Sequence, residues 1–235
     1  VMASPIAVIT GGSQGLGLAL AHELVADGWS LVLDARRRER LDAAVERLRA
    51  VAAPHGGQVV GIAGDVTDPA HRRALAEAAR IAGEVRLVVN NASTLGASPL
   101  PSVVEIDPEA LRRTFDVNVV APVALVAELA DDLGNGAVVV DVSSDAAIGA
   151  YEGWGGYGSS KAALDQVSRI LAAEHPEWRV LAVDPGDMRT EMHQAAFVGE
   201  DISDRPLPEE VAPRIISLIA SDRPSGRYEA WELAT

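Results

Sequence analysis

Short, nearly continuous apolar runs alternate along this chain with longer segments in which apolar residues recur every three or four positions. The short runs are rich in Val, Ile and Leu, which is typical of parallel strands buried on both faces. Strands are predicted at residues 6–10, 31–33, 59–62, 87–90, 137–142 and 180–183, with a last short strand at 226–233.

The longer segments have the spacing of amphipathic helices. Helices are predicted at residues 16–26, 38–52, 69–82, 108–133 and 157–174, with two more at about 190–197 and 208–220. Alternating strands and helices favour right-handed β-α-β crossovers. The pattern predicts an α/β fold, a doubly wound parallel sheet of about seven strands with helices on both faces. No linker rich in Pro, Gly or Ser interrupts it, so we expect one domain over residues 1–235.

The composition of the chain argues against several classes of function. The net charge is −14, which argues against nucleic acid and membrane surfaces as partners because both are anionic. No apolar run is long enough for a transmembrane helix, and the N-terminal apolar stretch is too short for a signal peptide. We therefore expect a cytoplasmic protein. The absence of cysteine excludes disulfides and thiolate chemistry.

The histidines give no sign of a metal site. They stand at positions 22, 55, 71, 175 and 193, without metal-ligand spacing. Four of them are predicted to be solvated, and His193 is a candidate for the substrate side of a cleft.

A glycine-rich segment follows the first predicted strand directly and precedes an apolar-periodic helix. Its glycines permit a tight turn and a close approach of the backbone to a pyrophosphate. The helix N-terminus then offers free N–H groups and the positive end of its dipole. The segment is predicted to bind dinucleotide phosphates through Gly11, Ser13, Gln14, Gly15, Leu16 and Gly17.

With Thr10 in front, this loop reads TGxxxGxG, and six further motifs follow it in order. They are Asp65-Val66, Asn90-Asn91-Ala92, Asn118, Ser143-Ser144, Tyr157-Gly158-Ser159-Ser160-Lys161 and Pro185-Gly186-Asp187-Met188-Arg189-Thr190. Over about residues 6–192, roughly four-fifths of the chain, the set resembles the short-chain dehydrogenase/reductase (SDR) family. Ser93 stands where the family's NNAG motif has glycine.

The resemblance implies a Rossmann fold and hydride transfer between NADP(H), or alternatively NAD(H), and a small-molecule carbonyl/alcohol pair. It places Asp65 and Val66 at the adenine and Lys161 at the nicotinamide ribose. The remaining cofactor contacts that it implies are Asn91, Ala92, Tyr157, Pro185, Gly186, Met188 and Thr190.

Tyr157 and Lys161 lie four residues apart on a predicted helix, so their side chains share one face. A phenol normally titrates near ~10, and a neighbouring ammonium favours its ionised form. Tyr157 is therefore expected to act as general acid in reduction and general base in oxidation. The resemblance assigns Ser144 to the substrate oxygen, where its hydroxyl stabilises developing charge. Ser143 is expected to be a helper or a strand-end cap.

Asn118 has two compatible interpretations. It lies among valines, where a buried amide must find partners, so it can satisfy backbone groups at a helix kink. The resemblance instead makes it a member of a catalytic tetrad with Ser144, Tyr157 and Lys161, holding a water that links the lysine to solvent. The alternative function is a catalytically silent NADP-binding sensor on the same fold. Such relatives usually lose the Tyr or the Lys, and this chain keeps both.

The end of the second strand predicts the cofactor. Relatives that prefer NAD usually carry an Asp where this chain has Ala35, and the next residue is Arg36. A guanidinium is a natural bidentate partner for a 2′-phosphate. Arg36 and Arg37 are therefore predicted to select NADP(H). A shift of one residue in this alignment would make Asp34 a ribose ligand and favour NAD(H).

Substrate contacts are predicted from two segments. Tyr151 and Trp154 lie in a glycine-rich stretch just before Tyr157. A lid at about residues 187–210 includes Met192 and His193, and Met188 and Phe197 are expected to help it adapt. These residues predict a mainly apolar substrate, aromatic or polyketide-like. The alternative is that Tyr151 and Trp154 pack on the protein itself. A homodimer or homotetramer is also expected, with contacts through Val119, Val123, Val126 and Leu171 of the two long helices.

Overall fold

The computed structural model describes residues 4–233, and its strands form one sheet. The strands are β1 (Ile6–Ile9), β2 (Ser30–Ala35), β3 (Val59–Ala63), β4 (Val85–Asn90), β5 (Leu133–Val142), β6 (Arg179–Asp184) and β7 (Gly226–Glu229). All neighbouring strands are parallel, in the order β3-β2-β1-β4-β5-β6-β7. The order reverses between β1 and β4, and in such sheets the crevice at the carboxyl ends of these strands is the ligand site.

Helices cover both faces of the sheet, which confirms the predicted fold class. They are α1 (Gly15–Ala26), α2 (Arg38–Ala52), α3 (Pro69–Ala82), α4 (Pro108–Phe115), α5 (Ala121–Leu129), α6 (Gly155–Glu174), α7 (Glu191–Ala196) and α8 (Pro208–Ala220). Buried residues of α1, α2 and α8 form one apolar cluster with the sheet, and those of α3 and α5 form the other.

The helix predicted at 108–133 is interrupted and ends early. A π turn at Asp116–Val120 separates α4 from α5, and a 3-10 turn at Ala130–Asp132 leads directly into β5. The strand predicted at 137–142 therefore begins four residues sooner. Leu133 pairs with Val85 across a register shift that accommodates the intervening glycines, and such β-bulges are hard to recognise from sequence.

The last predicted strand, 226–233, is shorter than expected. It pairs with β6 only over Gly226–Glu229, at the edge of the sheet, and Ala230–Glu232 then form a 3-10 turn. That turn brings the ring of Trp231 against Gly186, just beyond β6.

His71 corrects the prediction that all histidines except His193 are solvated. Its side chain is buried, and its Nε2 lies 3.0 Å from Oδ2 of Asp34. His71 and Leu75 are four residues apart on the buried face of α3, a spacing that could have revealed the inward position.

Two further findings concern residues 4–233 as a whole. No helix in this range is long and apolar enough to cross a bilayer. Within the same range, no group of three or more His, Asp or Glu side chains is arranged to hold a metal ion.

Candidate active site

The glycine loop joins β1 to α1 at the sheet crevice. Gly11 and Gly15 have φ angles of 68° and 56°, which side chains with a Cβ rarely adopt. A Cβ on Gly17 would overlap the carbonyl of Gly11 and the amide of Asn91. The side-chain amide of Asn91 donates to the carbonyls of Thr10 at 2.9 Å and Gly11 at 3.2 Å, so it ties the loop to the end of β4.

Thr10 ties the loop to the end of β4. Its Oγ1 accepts hydrogen bonds from the backbone N–H groups of Asn91 and Ala92, both at 3.0 Å. The switch point of the sheet is thus held rigid by groups from both of its central strands. Such a frame suits a site that must hold a dinucleotide in one orientation.

Asp34 lies beneath the same loop and is 2% exposed. Its Oδ1 accepts the backbone N–H of Gly11 at 2.6 Å, and its Oδ2 faces His71. Ala35 is also buried, whereas Arg36 and the next arginines are exposed. The first side chain after β2 that can reach a ligand in the crevice is therefore Arg36.

A bridge connects the glycine loop, the arginine run and α7. Arg40 donates from Nη1 to both carboxylate oxygens of Glu191, at 2.8 and 3.0 Å, and also pairs with the side chain of Gln14. Arg37 lies 3.9 Å from the same carboxylate. The hydrogen bond from Arg40 holds the pKa of Glu191 below its ordinary value. Arg37, predicted as a 2′-phosphate ligand, is thus paired with the lid in this structure.

Asp65 follows β3 at the position predicted for the adenine. Its Oδ1 accepts hydrogen bonds from the backbone N–H and the hydroxyl of Thr67. Partial burial raises the pKa of Asp65, but these two hydrogen bonds and the charge of Arg36 lower it further than burial raises it. The carbonyl of Val66 is held by Arg72 at 2.7 Å, which fixes the turn after β3.

Asn118 lies fully buried in the π turn between α4 and α5. Its Oδ1 accepts from the hydroxyl of Ser93 and the N–H of Thr94, at 3.1 and 2.9 Å. Its Nδ2 donates to the carbonyl of Thr94 and the hydroxyl of Ser160, both at 2.9 Å. The amide therefore fills the structural role that the sequence suggested.

The backbone at Asn118 has a separate property. Pro122, four residues later, has no N–H to donate to the carbonyl of Asn118, and the helix widens here into a π turn. Single π turns occur frequently at functional sites. The side chain of Asn118 therefore has a structural role, and the water expected at this residue stays a prediction.

Tyr157 lies in the first turns of α6 and is 8% exposed. Burial raises the pKa of its phenol well above the ordinary value. The hydroxyls of Ser93 and Ser144 hydrogen-bond the phenol and lower this pKa, while Asp184 and Asp145 raise it. The phenol is therefore a proton donor at neutral pH, and a positive charge nearby is needed to ionise it.

Lys161, the only lysine in the chain, lies four residues after Tyr157 on the same helix. It is 1% exposed, its Nζ donates to the carbonyl of Val142 at 2.7 Å, and it lies 5.6 Å from the centre of the Tyr157 ring. Burial lowers the pKa of Lys161 to about 8, although the carboxylates of Asp141 and Asp165 favour the charged form.

The two serines after β5 have different surroundings. Ser143 is buried and donates to Asp165 at 2.5 Å, so it is a structural helper. Ser144 is partly exposed, donates to Asp145 at 2.9 Å, and lies beside the Tyr157 phenol. Ser144 is therefore the serine that faces the catalytic phenol.

Arg227 of β7 links the ends of β5 and β6 to α6, a role that the sequence analysis did not predict. It donates to the carbonyl of Ser144 and to Asp184, both at 3.0 Å, and to Asp165 at 3.1 Å. Ser93 was recognised only as a departure from the family motif, yet it contacts both Asn118 and Tyr157. The only feature of the sequence that could have pointed to Ser93 is that it replaces the glycine of the NNAG motif.

The segment predicted to cup the nicotinamide begins at Pro185, which is buried, and runs beside the glycine loop. The N–H of Gly186 donates to Asp184 at 2.9 Å, and Met188 packs against the α1 side of the core. The methyl group of Thr190 lies 3.7 Å from where a Cβ on Gly15 would be. The two cofactor motifs are thus neighbours, as the resemblance implied.

The predicted substrate residues are only partly brought together. Trp154 packs edge-on against Tyr157, with ring centres 5.6 Å apart, and lies 5.9 Å from Phe197 of the lid. Tyr151 is half exposed, lies over Gly149 and hydrogen-bonds Asp145. Met192 is half-buried in α7. Trp154 therefore connects Tyr157 to Phe197 of the predicted lid, whereas Tyr151 packs on its own loop.

Comparisons with known proteins agree with this geometry. The family model described as short chain dehydrogenase matches residues 5–201. An uncharacterized oxidoreductase from Methylorubrum extorquens is 31% identical, over 92% of this chain and 90% of its own length. Sepiapterin reductase from Xenopus laevis is 35% identical, over 83% of this chain and 78% of its own.

A solved structure gives the same result at the level of the fold. The alcohol dehydrogenase from Thermococcus sibiricus complexed with 5-hydroxy-NADP superimposes with a TM-score of 0.85 and 26% identity, over 96% of this chain and 95% of that one. The ordered motifs, the seven-stranded parallel sheet and these similarities lead to one conclusion: the chain belongs to the short-chain dehydrogenase/reductase family of oxidoreductases, which bind a nicotinamide cofactor.

Proposed function

We propose that this protein is an NADP(H)-dependent carbonyl reductase that acts on an apolar small-molecule ketone or aldehyde. The observation that carries the proposal is the buried pair of Tyr157 and Lys161 beside Ser144, at the edge of the sheet where the glycine loop lies. A silent sensor on the same fold would have no use for a lysine held at this desolvation cost.

The residues around the crevice suit a dinucleotide. The glycine loop presents the N-terminus of α1, which has no acidic residue in its first turn. Asp65 and Val66 follow β3 in the same parallel sheet, and the side chain of Thr190 lies next to Gly15. A nicotinamide bound here would supply or accept the hydride, and we assign Lys161 to the ribose of that nicotinamide.

Tyr157 and Ser144 act on the substrate oxygen. In reduction the phenol gives its proton to that oxygen, while the Ser144 hydroxyl donates a hydrogen bond to the charge that develops there. The Lys161 ammonium stabilises the phenolate that remains. Asn118 holds the π turn, and its carbonyl is the group that we assign to a water leading from Lys161 to solvent.

NADP(H) is favoured over NAD(H) by the end of β2. Asp34 has both carboxylate oxygens engaged inside the protein, so it is not free for a ribose diol. Ala35 is small and buried, and Arg36 is the exposed cation that follows it. The 5-hydroxy-NADP complex of the Thermococcus sibiricus relative supports the same choice.

The experiment is a spectrophotometric screen of NADPH and NADH oxidation with ketones and aldehydes of graded size. Sepiapterin is included because sepiapterin reductases are among the relatives. We expect turnover with NADPH and with at least one apolar carbonyl. Cofactor binding without turnover of any carbonyl, or of any alcohol with NADP⁺, would favour the silent sensor instead.

A further inference from the structure

His193 is a largely shielded histidine on α7, in the predicted lid, that the proposed chemistry does not use. Its side chain is only 9% exposed, and its backbone N–H donates to Oγ1 of Thr190 at 3.1 Å. Its Nδ1 lies 3.6 Å from the carboxylate of Asp187, beyond hydrogen-bond length. Its Nε2 is shielded from solvent and has no hydrogen-bond partner in residues 4–233.

This arrangement is costly for the protein alone. A buried polar atom without a partner has lost its hydrogen bonds to water and gained none in return, and the great majority of such atoms in proteins are paired. The other unpartnered buried atoms in the described part of the chain are Nε atoms of arginines 72, 205 and 214. Each of those arginines makes a hydrogen bond or ion pair through another nitrogen. Neither ring nitrogen of His193 makes a hydrogen bond.

The position of His193 relates it to the catalytic tyrosine. Its ring lies 4.6 Å from that of Phe197, Phe197 lies 5.9 Å from Trp154, and Trp154 lies 5.6 Å from Tyr157. We call Tyr157, Trp154, Phe197 and His193 the ring row. It begins at the proton donor and ends at the unpartnered nitrogen.

We propose that His193 is a specificity residue whose Nε2 accepts a hydrogen bond from an O–H or N–H group of a planar aromatic carbonyl substrate lying along the ring row. The inference rests on the proposed reductase function and adds a substrate class to it. The carboxylate of Asp187 faces Nδ1 and favours the proton on that nitrogen, which leaves Nε2 as the acceptor. A donor on the substrate, remote from its carbonyl, completes the pair.

The test compares matched substrates that differ in one donor. Two pairs of different length are used: 4′-hydroxyacetophenone with 4′-methoxyacetophenone, and 6-hydroxy-2-acetonaphthone with 6-methoxy-2-acetonaphthone. KM and kcat are measured with NADPH for the wild type and for His193→Phe, which keeps a ring against Phe197 but has no acceptor. His22→Phe is the matched control, because His22 is a solvent-exposed histidine on α1.

The hydroxyl also changes the electronics of the ketone, but equally in every variant, so the ratio of KM values is compared between variants. For at least one pair we expect the wild type and His22→Phe to favour the hydroxy ketone by about three- to tenfold in KM, the scale of one net hydrogen bond. In His193→Phe the ratio should fall to about one. His193→Gln, which retains an amide oxygen, should recover part of the preference.

Binding gives the same ratio independently of turnover. Calorimetric titration of each pair into the NADP⁺ complex should show the donor preference in the wild type and its loss in His193→Phe. A preference that survives in His193→Phe, or no preference for either pair in the wild type, overturns the inference. Turnover without any donor effect refutes this inference alone, whereas binding without turnover of either pair refutes the proposed function.

Discussion

Nε2 of His71 lies 3.0 Å from Oδ2 of Asp34, and the other oxygen of that carboxylate holds the N–H of Gly11 at 2.6 Å. A helix on one face of the sheet is thereby linked, through a single buried carboxylate, to the loop predicted to bind the cofactor. Gly11 has a positive φ, and glycine is conformationally free. The hydrogen bond from its N–H to Asp34 therefore helps to hold the backbone of the loop in this conformation.

Replacing His71 by leucine should leave Asp34 buried with one hydrogen bond fewer. We expect a loss of about 1–3 kcal/mol in the free energy of unfolding. We also expect weaker binding of NADP⁺ and NAD⁺ by similar factors, because the loop serves both. Urea unfolding and fluorescence titration measure the two effects, with His22→Leu as the exposed control. A variant that weakens only one cofactor would contradict this role for the pair.

Cofactor choice is tested at Arg36. The wild type should prefer NADPH to NADH in kcat/KM. Arg36→Ala should lose about ten- to a hundredfold of that preference through NADPH alone, the scale of a hydrogen bond to a charged group. Arg47→Ala is the control, since Arg47 is an exposed arginine of the following helix, α2, whose side chain donates to the carbonyl of Ala43. An unchanged ratio in Arg36→Ala would remove this residue from the 2′-phosphate site.

Much of the fold could be predicted because its signals are local. Apolar runs mark the strands of a parallel sheet, and the spacing of apolar residues marks its helices. Predictions failed where a non-local contact decides the structure. Leu133 begins β5 because it pairs with Val85 next to a bulge. His71 is buried because its ring pairs with the carboxylate of Asp34, a residue of β2.

The candidate site shows the same division. Motifs identified Tyr157 and Lys161, because their chemistry depends on a fixed spacing along one helix. They did not identify Arg227, which reaches Ser144, Asp165 and Asp184 from the far end of the chain. No pattern in one sequence records a contact between residues 144 and 227. The bridge from Arg40 to Glu191 has the same character.

The catalytic role that we propose for Tyr157 predicts a large loss of activity from the removal of one hydroxyl group. Tyr157→Phe keeps the ring against Trp154 and removes the only proton it can transfer. We expect kcat to fall at least ~10²-fold, the scale of general acid–base catalysis, while NADPH binding is largely kept. Single-turnover kinetics measure the loss of rate, and fluorescence titration measures the binding of NADPH. Near-normal turnover of any accepted substrate by this variant would refute the mechanism.

Assembly is predicted through the helices around Asn118 and Tyr157. Val120 and Val123 are 52% and 44% exposed on the π turn and α5, and Ile170 is 46% exposed on α6. Of the other residues expected at the contact, Val126 is buried, Leu171 is partly buried against the core, and Val119 is partly exposed. The exposed Val120, Val123 and Ile170 are therefore the residues that we propose for a self-association contact.

We expect a homodimer or homotetramer with a twofold contact at this surface. Val123→Arg should reduce the mass of the assembly measured by light scattering at micromolar concentration. Ile81→Arg is the control, since Ile81 is 77% exposed on α3. A monomeric wild type, or an unchanged assembly in Val123→Arg, would contradict the prediction.

Lys161 predicts a pH dependence that can be observed at one atom. Burial lowers its pKa to about 8 from the ordinary 10.5. Because it is the only lysine, a protein labelled with ¹⁵N-lysine gives a single side-chain ammonium signal. In the cofactor-free protein we expect that signal to titrate near pH 8. A midpoint near 10.5 would mean that the ammonium is solvated and not held as the structure has it.

The lowered pKa of Lys161 should also make the free energy of unfolding depend on pH. Between pH 8 and 10.5 the unfolded chain keeps its lysine proton while the folded chain loses it, so stability rises with pH across this window. Below pH 8 the full cost of burying the charge is present, roughly 3 kcal/mol for a shift of this size. Lys161→Met lacks this cost at every pH, and Tyr157 titrates in both proteins. Urea unfolding at pH 7 and pH 10 should therefore show the wild type gaining roughly 2–3 kcal/mol relative to Lys161→Met. A difference between the two proteins that does not change with pH would contradict the buried, destabilised ammonium that the proposed proton transfer requires.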